Sequence, residues 1–189
     1  NRHGFLPFRE IAPEYINSST PLEVNRHNLK DYLFEGQELI IQIEKEERGQ
    51  KGAALTTFLS LAGCYLVLMP NNPRAGGISK RIEGEERSEL REALAALEIP
   101  EGMGLIVRTA GLGRRSEELQ WDLNVLLTQW NAIQQAANAK REPFLIYQEG
   151  NAVIRAIRDY LKPDIDEIII DDETIYNGVT KHIQMVRPE

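Results

Sequence analysis

The segment "VRTAGLG" sets Arg108 and Thr109 at the end of the apolar run "MGLIV", with Gly111 and Gly113 just beyond. A phosphate is gripped by concentrated donors: a guanidinium that engages two oxygens, a hydroxyl, and backbone amides left open by small residues. All three kinds stand within a few residues here. Glycines let a chain turn sharply, so two readings stand: a phosphate site, or a strand that ends in Arg-Thr for structural reasons alone. A second group, Asp164, Asp166, Asp171 and Asp172 in "DIDEIIIDDE", has the residue type that two-metal nucleases use at strand ends. Acidic residues at such places also cap the following helix, which is the simpler reading. His3, His27 and His182 are widely scattered, no Ser, His and Asp grouping stands out, and the glycines fit neither a phosphate loop nor a dinucleotide fingerprint. The residues offer binding chemistry and no visible hydrolytic engine. The single cysteine, Cys64, can form neither an internal disulfide nor a thiolate zinc site by itself. A reducing, cytoplasmic setting follows most simply, and its place in "LAGCYLVLM" reads as core packing.

Three pieces must position these residues. Up to about Phe58, "HGFLPFREIA" predicts a short apolar strand, and the alternation through Leu39, Ile41 and Ile43 predicts another. A polar turn at Gly36 precedes the second, and a hairpin tip holding Gly49 and Gly52 leads to a third strand at Ala54–Phe58. Exposed Phe and Lys on short strands suit part of a small oligonucleotide-binding barrel, although any β-rich domain fits the periodicity. The middle piece runs to about Gly150. After "CYLVLM" comes a rigid loop, "PNNPRAGG", then Lys80 and Arg81, then a helix with Leu90, Ala93, Leu94 and Leu97 at helical spacing. A buried strand leads to "VRTAGLG", and "SEELQWDLNVLLTQWNAIQQAANAK" predicts a long amphipathic helix capped by Ser116. Leu119, Leu123, Leu126, Leu127, Trp130 and Ile133 form its apolar face, and Trp121 and Trp130 read as packing residues. The last piece predicts a helix, a break at Pro163, a covered strand at Glu167–Ile170 and a further helix.

The 189 residues are 42% hydrophobic and 27% charged, the composition of a folded domain or two small ones. A formal net charge of −7 excludes a chain that coats nucleic acid by bulk attraction, so any RNA or phosphate site must be local. Basic residues do cluster, at Lys80-Arg81, Arg108, Arg114-Arg115 and Lys140-Arg141. No apolar run approaches the ~18 residues of a membrane span. The start, "NRHGFLPFRE", has neither an initiator Met nor a signal-peptide plan, and reads as a cut through a longer chain.

The run "IEKEERGQKGAALTTFLSLAGCYLVLMPNNPRAGGISKRIEGEER" resembles the heart of the bacterial ribonuclease E/G family. "EGMGLIVRTAGLG", "ELQWDLNVLLTQW", "PFLIYQE" and "IRAIRDYL" continue the likeness in order, over nearly the whole chain. The resemblance implies a mixed α+β (α/β) fold: part of an OB-fold barrel over 1–57, a 5′-monophosphate sensor domain over 58–153, and part of a ribonuclease-H-like subdomain over 154–189. It implies an endoribonuclease of RNA decay and of rRNA and tRNA processing that cuts single-stranded, A/U-rich RNA and prefers a 5′-monophosphate end. By local motif, Arg108 and Thr109 would hold the 5′ phosphate, and Gly63 and Val67 would wall the terminal nucleotide. Phe5, Lys45 and Lys51 would hold RNA on the OB module, and Lys80 and Arg81 would be auxiliary phosphate contacts beside a rigid loop. The family's magnesium-binding carboxylates and its zinc-binding cysteine motif belong to later regions, so this stretch would bind RNA and not cut it. The parent would be a cytoplasmic homotetramer, peripheral at the inner membrane and joined to RNA-decay partners through other regions. Two alternatives stand beside this: a non-catalytic interaction or oligomerisation module, and the corresponding region of the family's G branch, although the loop sequence favours the E branch.

Overall fold

A computed structural model describes residues 3–16, 32–148, 150–161 and 165–186. The chain groups into two compact units. One comprises Asn1–Leu61, Val67–Gly77 and Glu98–Ile106, the other Ala62–Leu66, Ile78–Leu97 and Val107–Glu189.

Alternating residues and a glycine-bearing tip build the hairpin of the first unit: β1 (Gln42–Lys45) pairs antiparallel with β2 (Ala54–Thr56). The tip closes at an Arg48–Lys51 bridge, where Gly49 has φ 61, a conformation that side chains with a Cβ rarely adopt. Leu39 and Ile41 precede β1 rather than extending it, and the predicted amino-terminal strand is a single parallel bridge, Phe5 to Ala54, followed by short 3-10 turns at Phe8–Glu10 and Pro13–Tyr15. The proline at each turn's start fixes φ and removes a ladder donor, which ends strand pairing there. Thr57, fully buried, ties this segment down: its hydroxyl donates to the Glu10 carbonyl at 2.7 Å and accepts from the Ala12 N–H at 2.6 Å.

A four-stranded sheet follows, in the order β3-β4-β6-β5, from β3 (Leu61–Ala62), β4 (Leu66–Met69), β5 (Gly76–Ile78) and β6 (Gly104–Val107). The predicted loop is therefore shorter than expected, because the Gly-Gly pair enters β5. What remains of it is scaffold. Asn71 accepts from the Leu59 N–H at 3.1 Å and donates to the Thr57 carbonyl at 2.7 Å and to Glu14 at 2.8 Å. A Cβ at Gly104 would lie 1.9 Å from the Ala75 carbonyl oxygen, so the loop backbone rests directly on the start of β6.

The helices are α1 (Gly84–Ala95), α2 (Ser116–Ala139), α3 (Ala152–Tyr160) and α4 (Glu173–Val186). On α2 five of the six residues predicted for the apolar face, Leu119, Leu123, Leu126, Trp130 and Ile133, are buried, while Leu127 is half-buried. Its cap differs from expectation. Ser116 is the first helical residue and Arg115 the cap position, where Glu118 reaches back to accept the Arg115 N–H at 3.1 Å. Asn151 caps α3 by accepting from the Val153 and Ile154 N–H groups, both at 3.1 Å, and Asp172 does the same for the Ile175 N–H at 2.8 Å. The expected break at Pro163 and the residues Asp164 and His27 lie outside the described residues.

The covered strand predicted at Glu167–Ile170 is absent. Those residues carry no ladder, and Ile169 is 85% exposed. An apolar run becomes a strand only where another strand offers its backbone, and no described residue does so here. The fold is thus mixed α+β with two sheets and four helices, and no barrel closes among the described residues.

Candidate nucleic-acid interface

Val107, fully buried, anchors the end of β6. The next N–H, that of Arg108, donates to the Tyr65 carbonyl at 2.8 Å, and the chain then makes one 3-10 turn at Thr109–Gly111. Only glycine fits at 111: a Cβ there would meet Val107 Cγ1 at 2.7 Å and the Tyr65 oxygen at 3.3 Å. This geometry carries the Arg108 side chain back over the turn at 63–66. Its Nη1 donates to the Gly63 carbonyl at 2.5 Å and the Cys64 carbonyl at 3.1 Å, and its Nη2 pairs with Asp159 Oδ1 at 2.7 Å. Arg108 is therefore an oriented, partly exposed cation engaged in an ion pair, not the freely reaching guanidinium that the sequence suggests. Thr109 is exposed beside it.

The carbonyls that hold Arg108 are themselves held by a residue whose role the motifs do not reveal. Asp122 is 1% exposed in the middle of the α2 apolar stripe. Its carboxylate accepts the N–H groups of Cys64, Tyr65 and Leu66 at 2.9, 2.8 and 2.9 Å. Burial pushes the Asp122 carboxyl above its ordinary range, outweighing those donors and the nearby positive charge of Arg108. Gly63 leaves room for this carboxylate, because a Cβ at that position would sit 2.6 Å from both oxygens. The available signal was an acidic residue where the leucine spacing demands an apolar one.

Asp159 also accepts from Arg158 Nε at 3.1 Å and Arg158 Nη2 at 3.4 Å. Burial raises its pKa, but the hydrogen bonds from Arg158 and Arg108 win and hold it below the usual carboxylate range. A cavity of about 170 Å³ opens beside this pair, lined by Tyr65, Ala110, Arg114, Arg158 and Asp159 among others. Arg114 lies 5.0 Å over the Tyr65 ring and bonds Glu118 at 3.1 Å. The hollow thus carries two arginines and one carboxylate, and Arg108 and Thr109 are not among the residues that line it.

Of the other candidates, Val67 is half-buried in β4 and belongs to the first unit. Lys80 and Arg81 are exposed in the turn after β5. It is Arg87 that secures that turn, donating from Nη1 to the carbonyls of Ser79 and Ile82, both at 3.1 Å, and of Ile78 at 3.3 Å.

In the first unit the structure brings Phe5 and Lys45 into one row. Phe5 bridges Ala54 on one side, and Lys45 pairs with the same Ala54 on the other. Laterally paired residues share a sheet face. A bulge between Ile43 and Lys45 makes this possible, since regular pairing would have set Glu44 opposite Ala54. The bulge thus exchanges an acidic for a basic neighbour of Phe5, which is 67% exposed. Gly52 permits the row: a Cβ there would lie 1.8 Å from the His3 carbonyl oxygen. Lys51 stands nearby in the chain at the hairpin tip, exposed, its backbone closing the bridge to Arg48. An exposed ring between small and basic residues can stack a base and neutralise a phosphate. If this row stacks a base, Phe5→Ala should weaken binding of single-stranded RNA by roughly tenfold, about 1–2 kcal/mol, as read by fluorescence anisotropy.

Among the described residues no group of three or more His, Cys, Asp or Glu gathers to hold a metal ion. No helix of the described residues is long and apolar enough to cross a membrane.

The model of the Ribonuclease E/G family matches residues 60–189. The chain is 62% identical over 188 residues to ribonuclease E of Haemophilus influenzae and 61% identical over 189 residues to ribonuclease E of Escherichia coli. Each alignment covers 100% of this chain, but only 20% and 18% of those relatives. A ribonuclease E/G-like protein of Arabidopsis thaliana chloroplasts is 34% identical over 164 residues, 82% of this chain. With the family model spanning most of its length and the likeness continuing through both units, the chain belongs to the ribonuclease E/G family.

Proposed function

We propose that this chain is the RNA-binding and 5′-end-sensing portion of an endoribonuclease that cleaves single-stranded, A/U-rich RNA in mRNA decay and in rRNA and tRNA processing. The carrying observation is Arg108, held at the end of β6 with part of its donor set uncommitted and a cavity of about 170 Å³ beside its carboxylate partner. Arg108 and the Thr109 hydroxyl grip a terminal monophosphate, with Gly63 and Val67 as the wall and Lys80 and Arg81 as outlying positive charge. A monophosphate matches a two-donor guanidinium grip in size and charge; a triphosphate brings further bulk and charge. The row of Phe5, Ala54 and Lys45, with Lys51, is the second contact, in an OB-like module over 1–57 that precedes a sensor over 58–153 and a ribonuclease-H-like portion over 154–189. Two contacts on one strand raise the effective concentration of the downstream RNA at the cutting site. Magnesium and zinc would be held by later parts of a tetrameric parent.

The test is a paired titration of the full-length protein with short single-stranded RNAs of one sequence, carrying either a 5′-monophosphate or a 5′-hydroxyl. The monophosphate should bind at least tenfold more tightly, the worth of one or two charge-assisted hydrogen bonds. Equal affinities would reject the sensor.

A further inference from the structure

We propose that Asp159 is the positioning residue for Arg108, fixing which edge of the guanidinium meets an incoming 5′ phosphate. The inference rests on the sensor reading and adds to it a residue from a different element, α3, to which the motifs assign no role. A guanidinium has five N–H donors in a rigid fork. In Arg108, both Nη1 hydrogens face carbonyls, of Gly63 and Cys64, and one Nη2 hydrogen goes to Asp159. Among the described residues no acceptor takes Nε or the second Nη2 hydrogen. Three fixed contacts from three acceptors leave the planar group little freedom to rotate, while two donors stay available. That is the number a bidentate grip on a phosphate uses.

Asp159 is itself held. Its Oδ1 lies 2.7 Å from Arg108 and 3.1 Å from Arg158, and its Oδ2 lies 3.4 Å from Arg158. Arg158 thus keeps the carboxylate from swinging with Arg108, so that the orienting contact survives when ligand arrives. Asp159 lines the cavity while remaining an acceptor only, so it offers the phosphate no bond and serves through Arg108. An exposed arginine would spend side-chain entropy on each binding event; one held beforehand does not.

The experiment compares Asp159→Ala, Asp159→Asn and Arg108→Gln in the full-length enzyme, measuring kcat and KM on RNAs with 5′-monophosphate and 5′-hydroxyl ends. Asp159 is about one-third exposed on its helix, so its truncation is compatible with folding, which a thermal melt checks. Asp159→Ala should lower the monophosphate-to-hydroxyl ratio of kcat/KM roughly tenfold, the cost of a misplaced contact, with the change in KM. Asp159→Asn retains an oxygen for Nη2 and should recover most of the ratio. Should Asp159→Ala leave the ratio intact or raise it while Arg108→Gln abolishes it, Asp159 does not position Arg108 and the sensor reading stands alone. A parallel fall on both RNAs marks a merely structural residue and equally overturns the proposal. If Arg108→Gln also leaves the ratio intact, the sensor reading itself fails.

Discussion

Asp122→Ala should destabilise the turn at 63–66 by about 3–5 kcal/mol, the loss expected when a buried charged acceptor is removed and its donors are stranded. Three N–H groups, from Cys64, Tyr65 and Leu66, lose the carboxylate that accepts them, and all three residues are buried too deeply for water to substitute readily. Hydrogen exchange reads this directly: protection of those amides should fall by two orders of magnitude or more. Asp122→Asn should be intermediate. One amide oxygen can serve Tyr65 and Leu66, but the NH₂ group then faces the Cys64 N–H, donor against donor. Gly63→Ala tests the same contact from the other side, because its methyl group would collide with a carboxylate that cannot retreat. An unchanged exchange pattern in Asp122→Ala would show that something else holds the turn. The pH dependence carries its own sign. Burial raises the Asp122 pKa above its unfolded value, so its contribution to stability is present at low pH and is lost as pH rises through the folded pKa. Asp159 behaves oppositely: its value is depressed, so its contribution is present above the ordinary carboxylate range and is lost as pH falls below it.

The second large effect concerns recognition. Arg108→Gln with Thr109→Val should remove the discrimination between 5′-monophosphate and 5′-hydroxyl RNA, a loss of about 3 kcal/mol or roughly a hundredfold. Glutamine has no positive charge and too few donors to replace the fork, and valine keeps the shape of threonine without its hydroxyl. Cleavage of both RNAs by the full-length enzyme gives the ratio, and a thermal melt separates recognition from folding. Binding at the Phe5 and Lys45 row should persist, since those residues belong to the other unit. Persistence of discrimination in the double variant would assign the 5′ end to other residues.

Much of this molecule could be read from residue spacing. The leucines of α2 recur so regularly that their inward face follows from the helical period alone, and the glycines of the β1–β2 hairpin mark its tip. Asp122 occupies a position in that same stripe, yet a carboxylate there is explained only by a turn more than fifty residues earlier in the sequence, which no local pattern encodes. The Arg108–Asp159 pair spans a similar gap and escapes local reading for the same reason. Gly76 and Gly77 look like loop residues, but β5 takes them because β6 lies beside it and supplies a ladder partner. In the opposite direction, "IDEIII" has the composition of a strand and no ladder, since composition supplies only one of the two partners that pairing needs. The bulge that replaces Glu44 by Lys45 beside Phe5 is a matter of register, and register shows only once both strands are in place.

Phosphorus NMR of a short 5′-monophosphorylated RNA, titrated with the full-length protein and with its Arg108→Gln variant, reports the terminal phosphate separately from the phosphodiesters. The terminal resonance should shift and broaden with the wild-type protein and remain sharp with the variant, while the phosphodiester signals respond to both. A terminal resonance unmoved by the wild-type protein, with the phosphodiesters broadened, would contradict the account.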